Sequence, residues 1–257
     1  MKKIGKFLLA ILPFIAFGLI YDSMRYFPNY EFNPIDVRGI YEAEKSIFGI
    51  TLLDGSVVTP CEYFSLHTSA VADFLAGCFY LCWVPVPVMF ALWLYMKGRR
   101  QLCFRFSMAF LFVNLIGFVG YYIHPAAPPW YVMEYGFEPI LGTPGHVAGL
   151  GRFDELTGLP VFHALYAKNA NVFAAVPSLH AAYMVVALCY AIKGHCSAGL
   201  KWAFSIIMVG IWCTAVYTAH HYVIDVLLGI VTALVGVYLF ELIWTRFIPG
   251  RLSSVQH

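Results

Sequence analysis

The sequence predicts an all-α fold, a polytopic membrane bundle of about six transmembrane helices. Apolar residues make up 61% of the 257 residues and charged residues only 12%, a composition that excludes an ordinary soluble domain. Apolar segments long enough to cross a hydrocarbon core of about 30 Å recur along the chain. Because lipid-exposed backbone must satisfy its own hydrogen bonds, these segments are predicted to be helical.

Six apolar segments have the length of a membrane span. They cover residues 7–24, 75–96, 102–123, 178–194, 200–219 and 222–244. The first follows Lys2, Lys3 and Lys6, as a signal peptide would, but no small-residue cleavage site is evident, so we interpret it as a retained span. Neither a repeat nor a soluble domain is visible. We therefore treat residues 1–257 as one integral membrane domain.

The distribution of basic residues predicts the topology. With the amino terminus in the cytoplasm, ten of the 16 lysines and arginines fall on the cytoplasmic side, in short segments. The two long connections, residues 25–74 and 124–177, then lie on the extracytoplasmic side. Both termini are predicted to be cytoplasmic. We expect residues 124–177, between the third and fourth spans, to form an interfacial region of short helices.

Four ionisable residues lie where the membrane spans meet the extracytoplasmic surface. His180 begins the fourth span, and His220, His221 and Asp225 lie where the fifth span turns into the sixth. Ionisable groups at this depth are costly unless they are paired or line a polar cavity. They are therefore candidates for a functional site.

The spacing distinguishes the two adjacent histidines. His221 and Asp225 are four positions apart and would stack on one face of a helix, whereas His220 points about 100° away. A hydrogen bond from Nδ1 of His221 to Asp225 would leave Nε2 as a nucleophile or base. A structural His–Asp pair that joins two helices is one alternative. A metal site is another, although no third or fourth ligand appears at the usual zinc spacing.

The stretch VFAAVPSLHAAY, residues 172–183, places His180 in the first turn of a helix. Pro177 and Ser178 are favourable helix-start residues. The free backbone N–H groups and the helix dipole at such a start attract anions, so a phosphate could bind beside Ser178 and His180. The alternative is that Ser178 merely caps the helix and His180 is an interfacial residue.

These motifs resemble a known family. PSLH, followed about forty residues later by HHYVIDVLLG, resembles the lipid phosphatase and phosphotransferase superfamily that includes type 2 phosphatidic acid phosphatases. Its inositol phosphorylceramide synthase branch is the most similar. The resemblance continues through HPAAPPWY at 124–131, GLGRFDELTG at 149–158 and, weakly, residues 36–50. It places the catalytic core at about residues 120–230.

The resemblance implies a mechanism and substrates. His221 would be the nucleophile that becomes a phosphohistidine, Asp225 would orient it, and His180 would act first as general acid and then as general base. No metal and no cofactor are implied. The implied partners are membrane lipids and not nucleic acids. The implied reaction moves phosphoinositol from phosphatidylinositol to ceramide and releases diacylglycerol.

The sequence departs from the family in its basic residues. Phosphatases of the superfamily usually carry a Lys-x6-Arg-Pro motif and a Ser-Arg pair ahead of the last histidine, but Thr214 and Ala215 stand at the positions of that pair. The motifs therefore do not identify the basic residue that would hold the phosphate. Arg152 is our choice for a bidentate phosphate contact, followed by Lys168 and His124.

Each of these residues has a structural alternative. Arg152 could instead pair with Asp154 or Glu155 in its loop. Trp130, in the proline-stiffened HPAAPPWY stretch, could line a headgroup entrance or serve as an aromatic anchor at the membrane interface. His220 could contact the substrate or cap the fifth span.

Two other functions fit the same residues. A lipid phosphate or polyprenyl phosphate phosphatase would use the same triad with water as the acceptor. A lipid transporter or flippase would use the histidines to titrate or to line a path. The predicted spans are continuous, without Gly or Pro breaks at matching positions in two halves of the chain, which disfavours a transporter.

Overall fold

Helices occupy most of the chain in this computed structural model, which describes residues 2–247 and the side chains from residue 10 onward. The twelve α-helices within that range are α1 Lys2–Ser23, α2 Arg38–Phe48, α3 Pro60–Leu66, α4 Ala70–Tyr80, α5 Pro85–Met96, α6 Arg100–Ile123, α7 Pro129–Tyr135, α8 Gly151–Thr157, α9 Val161–Tyr166, α10 Leu179–Lys193, α11 Ala198–Tyr217 and α12 Val223–Phe247. Two short antiparallel strands, β1 Ile50–Thr51 and β2 Val57–Val58, form a hairpin. The predicted all-α class is confirmed.

Every predicted span coincides with a helix or a helix pair. On length and composition, α6, α11 and α12 can each cross a membrane, and α4 with α5 makes a fourth candidate if the bent pair is one span. The apolar part of α1, Ala10–Ser23, and α10 are shorter. The chain is thus a multi-pass membrane protein, and the count of six spans stays a prediction.

The second predicted span is not continuous. Helices α4 and α5 meet at an angle of 43°, with a turn at residues 81–84 between them. Pro85 and Pro87 follow the turn, and their missing N–H groups cannot continue the helical hydrogen bonds of α4. The expectation of unbroken spans is therefore wrong at this position.

The long connections fold over one end of the bundle. Residues 124–177 contain α7, α8, α9 and the 3₁₀ helix Ala148–Leu150, which confirms the expected short helices. Backbone hydrogen bonds join Asp36 to Pro125 and Ala127, at 2.7 and 3.0 Å, and Ala126 to Phe173, at 3.0 Å. Segments from both connections thus run side by side. The sequence did not predict α2, α3 or the hairpin within residues 25–74.

A partly buried charge cluster joins three helices at the opposite end. The Glu241 carboxylate on α12 accepts a hydrogen bond from the Tyr190 hydroxyl, lies 2.6 Å from the Lys193 ammonium, and pairs with Arg105 of α6. Breaking such a pair from one side would leave an uncompensated buried charge. The cluster therefore holds α6, α10 and α12 together.

Helices α10 and α12 touch at backbone distance where both begin. A Cβ atom added to Gly229 would lie 2.1 Å from the Ser178 carbonyl oxygen. The Ser178 N–H also donates to the Asp225 carbonyl at 2.9 Å. Only glycine permits this approach, and the approach sets the distance between the His180 and Asp225 backbones.

We expect Gly229→Ala to force the two helices apart. Overpacking of this kind costs about 1 to 3 kcal/mol of stability, so both the melting temperature and the turnover number should fall. The matched control is Gly199→Ala on α11, where an added Cβ would meet nothing within 4 Å. Thermal unfolding and turnover of the two purified variants check the prediction, and equal behaviour of both would contradict it.

Candidate active site

A tight turn of residues 218–222 joins α11 to α12 and carries both adjacent histidines; we call it the catalytic turn. Ala219 has a positive φ of 57°, and the N–H groups of His220 and His221 both donate to the Ala215 carbonyl at 3.0 Å. Because α12 begins only at Val223, His221 lies ahead of the helix. The expected stacking of His221 and Asp225 on one helix face is wrong in this respect.

Backbone contacts from the 124–177 connection hold the first half of the catalytic turn. The Gly149 N–H donates to the Thr218 carbonyl, and the Trp130 N–H donates to the Ala219 carbonyl, both at 3.0 Å. Two motifs singled out in the sequence, HPAAPPWY and GLGRFDELTG, thus pack directly on this turn. Their role here is positional.

Residues of α2 and α3 hold the second half. The buried Glu44 carboxylate accepts hydrogen bonds from the N–H groups of Val223 and Ile224 at 2.9 and 3.1 Å, so it caps α12 from another helix. Negative charge is favourable at a helix amino terminus, although burial raises the pKa of Glu44. The Cys61 thiol lies 3.4 Å from the His221 carbonyl. The sequence analysis missed this contribution of residues 25–74.

The structure brings the three predicted catalytic residues into one row. Nδ1 of His221 lies 3.5 Å from Oδ2 of Asp225, a charge-pair distance that is long for a hydrogen bond. The same Oδ2 accepts the Tyr222 N–H at 2.9 Å, which fixes the carboxylate. On the other side, Nε2 of His221 lies 3.1 Å from Nδ1 of His180. His221 therefore stands between the carboxylate and the second imidazole.

The row assigns the protons of both rings. A neutral imidazole carries one N–H, and the 3.1 Å contact between the rings needs one donor and one acceptor. The Asp225 carboxylate favours the proton of His221 on Nδ1, so its Nε2 carries the lone pair and accepts from the Nδ1–H of His180. The resting His221 lone pair is therefore engaged by His180.

A cavity of about 290 Å³ opens beside this row. His180, His220 and His221 form a section of its wall, and aromatic side chains of α1, α6, α9 and α10 form much of the rest. Among the described residues that line it, Lys168 is the only lysine or arginine. Its volume is at the lower end of small-molecule sites, which suits a lipid headgroup better than a whole lipid.

Three of the six predicted substrate-binding residues line the cavity: Lys168, Trp130 and His220. Trp130 is only 5% exposed, so it belongs to the cavity wall, and its interpretation as an exposed membrane anchor is wrong. His220 does not cap α11 through its side chain; Nδ1 lies 3.0 Å from the Thr218 hydroxyl.

The other three lie outside the cavity lining. The fully buried Ser178 hydroxyl accepts the Ala181 N–H at 3.3 Å, which confirms its capping role. His124 lies 3.3 Å from the Asp36 carboxylate. Nε of Arg152 is paired, although its Nη2 has no hydrogen-bond partner, and Arg152 is not among the residues that line the cavity.

Arg152 pairs with a residue that the sequence did not indicate. Its Nε donates to the Asp73 carboxylate at 2.6 Å, and its guanidinium lies over the Tyr217 ring. Asp154 instead lies 2.8 Å from Nδ1 of His163 and accepts two backbone N–H groups. Burial alone would raise the pKa of Asp154, but these hydrogen bonds outweigh burial and lower it. The expected pairing of Arg152 with Asp154 or Glu155 is wrong.

A metal site finds no support in the geometry of the described residues. Within residues 2–247, no three His, Cys, Asp or Glu side chains converge closely enough to hold an ion. His180 lies beside the His221–Asp225 pair, but it contributes only a second imidazole, which contacts His221 at hydrogen-bond distance.

The fold and the site together define a class: a multi-pass membrane protein with a His–His–Asp row at one end of its helix bundle. A sequence model of the PAP2 superfamily matches residues 55–239, and the chain belongs to this superfamily. The resemblance inferred from the motifs is thereby confirmed.

The chain is similar to several curated proteins. It is 64% identical over 236 residues to the phosphoinositol dihydroceramide synthase of Bacteroides thetaiotaomicron, covering 92% of this chain and 77% of the relative. It is 29% identical to the inositol phosphorylceramide synthase catalytic subunit of Saccharomyces cerevisiae, covering 90% and 56%. For the inositol phosphorylceramide synthase of Candida albicans the values are 27%, 98% and 51%. The chain thus spans about half the length of these fungal relatives. No solved structure matches it.

Proposed function

We propose that this protein is a membrane phosphotransferase that moves phosphoinositol from phosphatidylinositol to a ceramide-type alcohol and releases diacylglycerol. The observation that carries the proposal is the row of Asp225, His221 and His180 beside a headgroup-sized cavity. The named activities of the similar proteins supply the substrates.

In the first half of the proposed reaction, Nε2 of His221 attacks the phosphorus of phosphatidylinositol. A phosphorus–nitrogen bond forms, and the bond between phosphorus and the diacylglycerol oxygen breaks. His180, which contacts Nε2 of His221 in the resting protein, takes up a second proton for this step. As an imidazolium it donates a proton to the leaving oxygen and becomes neutral. Asp225 stabilises the positive charge that develops on His221.

In the second half, the acceptor alcohol takes the place of diacylglycerol. Its hydroxyl gives a proton to His180, its oxygen attacks phosphorus, and the phosphorus–nitrogen bond breaks, which restores His221. The acceptor must reach His180 before water does. The aromatic wall of the cavity, which includes Trp83 beside His180, favours a lipid alcohol over water at this point.

Lys168 is the proposed contact for the phosphate charge, since Arg152 is held by Asp73. A charge-assisted hydrogen bond contributes about 1.5 to 3 kcal/mol, so Lys168→Gln is expected to raise KM for phosphatidylinositol about tenfold or more. The turnover number should change little. Lys201→Gln on α11, away from the cavity, is the control. Steady-state kinetics check this, and an unchanged KM would return the role to Arg152.

The proposed function is tested by identifying the products of the purified protein in mixed micelles. Phosphatidylinositol is supplied with and without ceramide, and the lipids are analysed by mass spectrometry. Diacylglycerol and phosphoinositol ceramide formed only with ceramide would support transfer. Release of inositol phosphate without ceramide would indicate a hydrolase. The absence of both products would reject the proposal and return attention to polyprenyl phosphates or lipid transport.

The proposed topology places both termini in the cytoplasm and the active site on the extracytoplasmic side. Its support is the basic cluster of Arg105 and Lys193 at the end of the bundle opposite the catalytic turn. A reporter fused to the carboxyl terminus tests this topology. Activity of a reporter that works only outside the cytoplasm would show that the orientation is the reverse of the proposed one.

A further inference from the structure

Several buried polar atoms in and beside the catalytic turn lack a well-formed hydrogen bond, among them Nδ1 of His221 and the Tyr222 hydroxyl. Three others cluster together: Nε2 of His220 and the hydroxyl oxygens of Tyr80 and Tyr166. The His220 ring packs against both tyrosine rings, with centroid distances of 4.6 Å to Tyr166 and 5.5 Å to Tyr80. His220 is only 5% exposed. Buried polar groups are almost always satisfied, so a cluster of three unsatisfied atoms indicates a place for polar groups of a ligand.

The hydrogen bonds of Thr218 determine what His220 offers. The single hydroxyl proton of Thr218 is donated to the Thr214 carbonyl at 2.7 Å, so its oxygen can only accept from His220 at 3.0 Å. The His220 proton is therefore on Nδ1, and Nε2 carries a lone pair. Burial also lowers the pKa of His220, which keeps the ring neutral. Nε2 is thus a hydrogen-bond acceptor.

The tyrosines offer the opposite function. The hydroxyls of Tyr80 and Tyr166 lie near each other, so one of them can donate to the other. The pair has two O–H donors, and at most one of them could be satisfied by the other tyrosine. Burial raises the pKa of Tyr166, so its hydroxyl stays protonated. At least one O–H donor of this pair is therefore left for a ligand.

An acceptor beside a donor matches a hydroxyl group. A ligand hydroxyl can donate to Nε2 of His220 and accept from the Tyr166 O–H at the same time. An ammonium group can only donate, and an ionised phosphate oxygen can only accept, so neither satisfies both atoms. The cluster thus discriminates by chemistry between polyol headgroups and those of ethanolamine type.

The cluster is also in the right place for a headgroup. Tyr166 and His220 both line the cavity that contains His180 and His221, and His220 directly precedes the nucleophile. A phosphate at Nε2 of His221 would carry its headgroup along the same wall.

We propose that Tyr166 and His220, with Tyr80 behind them, form the subsite that binds the hydroxyl groups of a neutral polyol headgroup on the donor lipid. This inference rests on the proposed function for the identity of the donor and adds the residues that select its headgroup. A donor without hydroxyl groups would leave the buried atoms unsatisfied, and such sites discriminate strongly against it.

The test measures binding of soluble headgroups to the full-length purified protein by thermal shift. The probes are myo-inositol 1-phosphate and phosphoethanolamine. Tyr166→Phe removes one oxygen and is expected to weaken inositol phosphate binding about tenfold, with little effect on phosphoethanolamine. The control is Tyr135→Phe, whose side chain is 41% exposed and outside the cavity lining.

A second pair of variants isolates Nε2 of His220. In His220→Asn the amide can still donate to Thr218, but no atom replaces Nε2, so inositol phosphate binding should weaken as in Tyr166→Phe. In His220→Gln the amide oxygen reaches toward the former Nε2 position and should restore some of the affinity. A structural role for His220 would not produce this difference between the two amides.

The outcomes separate this inference from the proposed function. Three results would overturn the subsite. The variants could weaken binding of both probes equally, they could leave inositol phosphate binding unchanged, or the wild-type protein could fail to bind inositol phosphate. The same variants are then compared with phosphatidylinositol and phosphatidylethanolamine as donors and ceramide as acceptor. A loss of donor preference of about tenfold supports the subsite. An altered KM for ceramide alone would assign the atoms to the acceptor and reject the donor subsite. Binding without any transfer would reject only the proposed function.

Discussion

His221→Ala is expected to abolish both lipid transfer and the covalent phosphoenzyme. Removal of a covalent nucleophile that works with a triad lowers turnover by about 10⁶-fold, since the remaining groups cannot form the intermediate. His220→Ala should still form a detectable phosphoenzyme, because Nε2 of His221 and its contact with His180 are retained. Acid-labile phosphate is measured on protein quenched during turnover.

The control for this prediction is His195→Ala, which alters an exposed histidine in the turn after α10, at the other end of that helix. Its activity and its phosphoenzyme should match those of the unaltered protein. A phosphoenzyme that persists in His221→Ala would refute the assignment of the nucleophile, and one lost equally in His220→Ala would make the two histidines indistinguishable.

Asp225→Asn is expected to lower turnover by about 10³- to 10⁴-fold with little change in KM for phosphatidylinositol. The amide oxygen can still accept the Tyr222 N–H, so the start of α12 should keep its structure. The amide no longer carries the charge that stabilises His221 as it becomes positive, and it no longer favours the productive tautomer.

Turnover, KM and melting temperature of Asp225→Asn are measured together. The melting temperature separates a chemical effect from an unfolded helix start. A large rise in KM with near-normal turnover would mean that Asp225 serves binding, and the carboxylate would then have no role in activating His221.

The helices and the grouping of His180, His221 and Asp225 were predictable because their signals are local. Apolar runs mark each span, and the order of His180, His221 and Asp225 along the chain places all three at helix starts on one side. The prediction from helical spacing was wrong for the geometry of the His221–Asp225 pair. Helix α12 begins after His221, so the pair forms through the catalytic turn and through the hydrogen bond from the Tyr222 N–H to the Asp225 carboxylate.

The candidate substrate-binding residues were less predictable because their positions depend on long-range packing. Nothing near Arg152 in the chain indicates that Asp73 of α4 will neutralise it. Tyr166 ends a helix of six residues, and only the folded 124–177 connection brings it to His220. Glu44 lies in the weakest section of the family resemblance, yet it caps α12. Contacts of this kind join segments that are distant along the chain, so local sequence patterns do not indicate them.

The contact between His180 and His221 occupies the nitrogen that is the nucleophile in the proposed mechanism. With the His221 lone pair held by the Nδ1–H of His180, a phosphate must separate the rings, whose nitrogens are 3.1 Å from each other, before it can react. Gly229 and Ser178 bring the backbones of α10 and α12 into close contact at this point, so side-chain movement separates the nitrogens more readily than movement of the helices. In the proposed mechanism, rotation of the rings therefore admits the substrate, and the imidazole is free to react only while a lipid headgroup occupies the cavity.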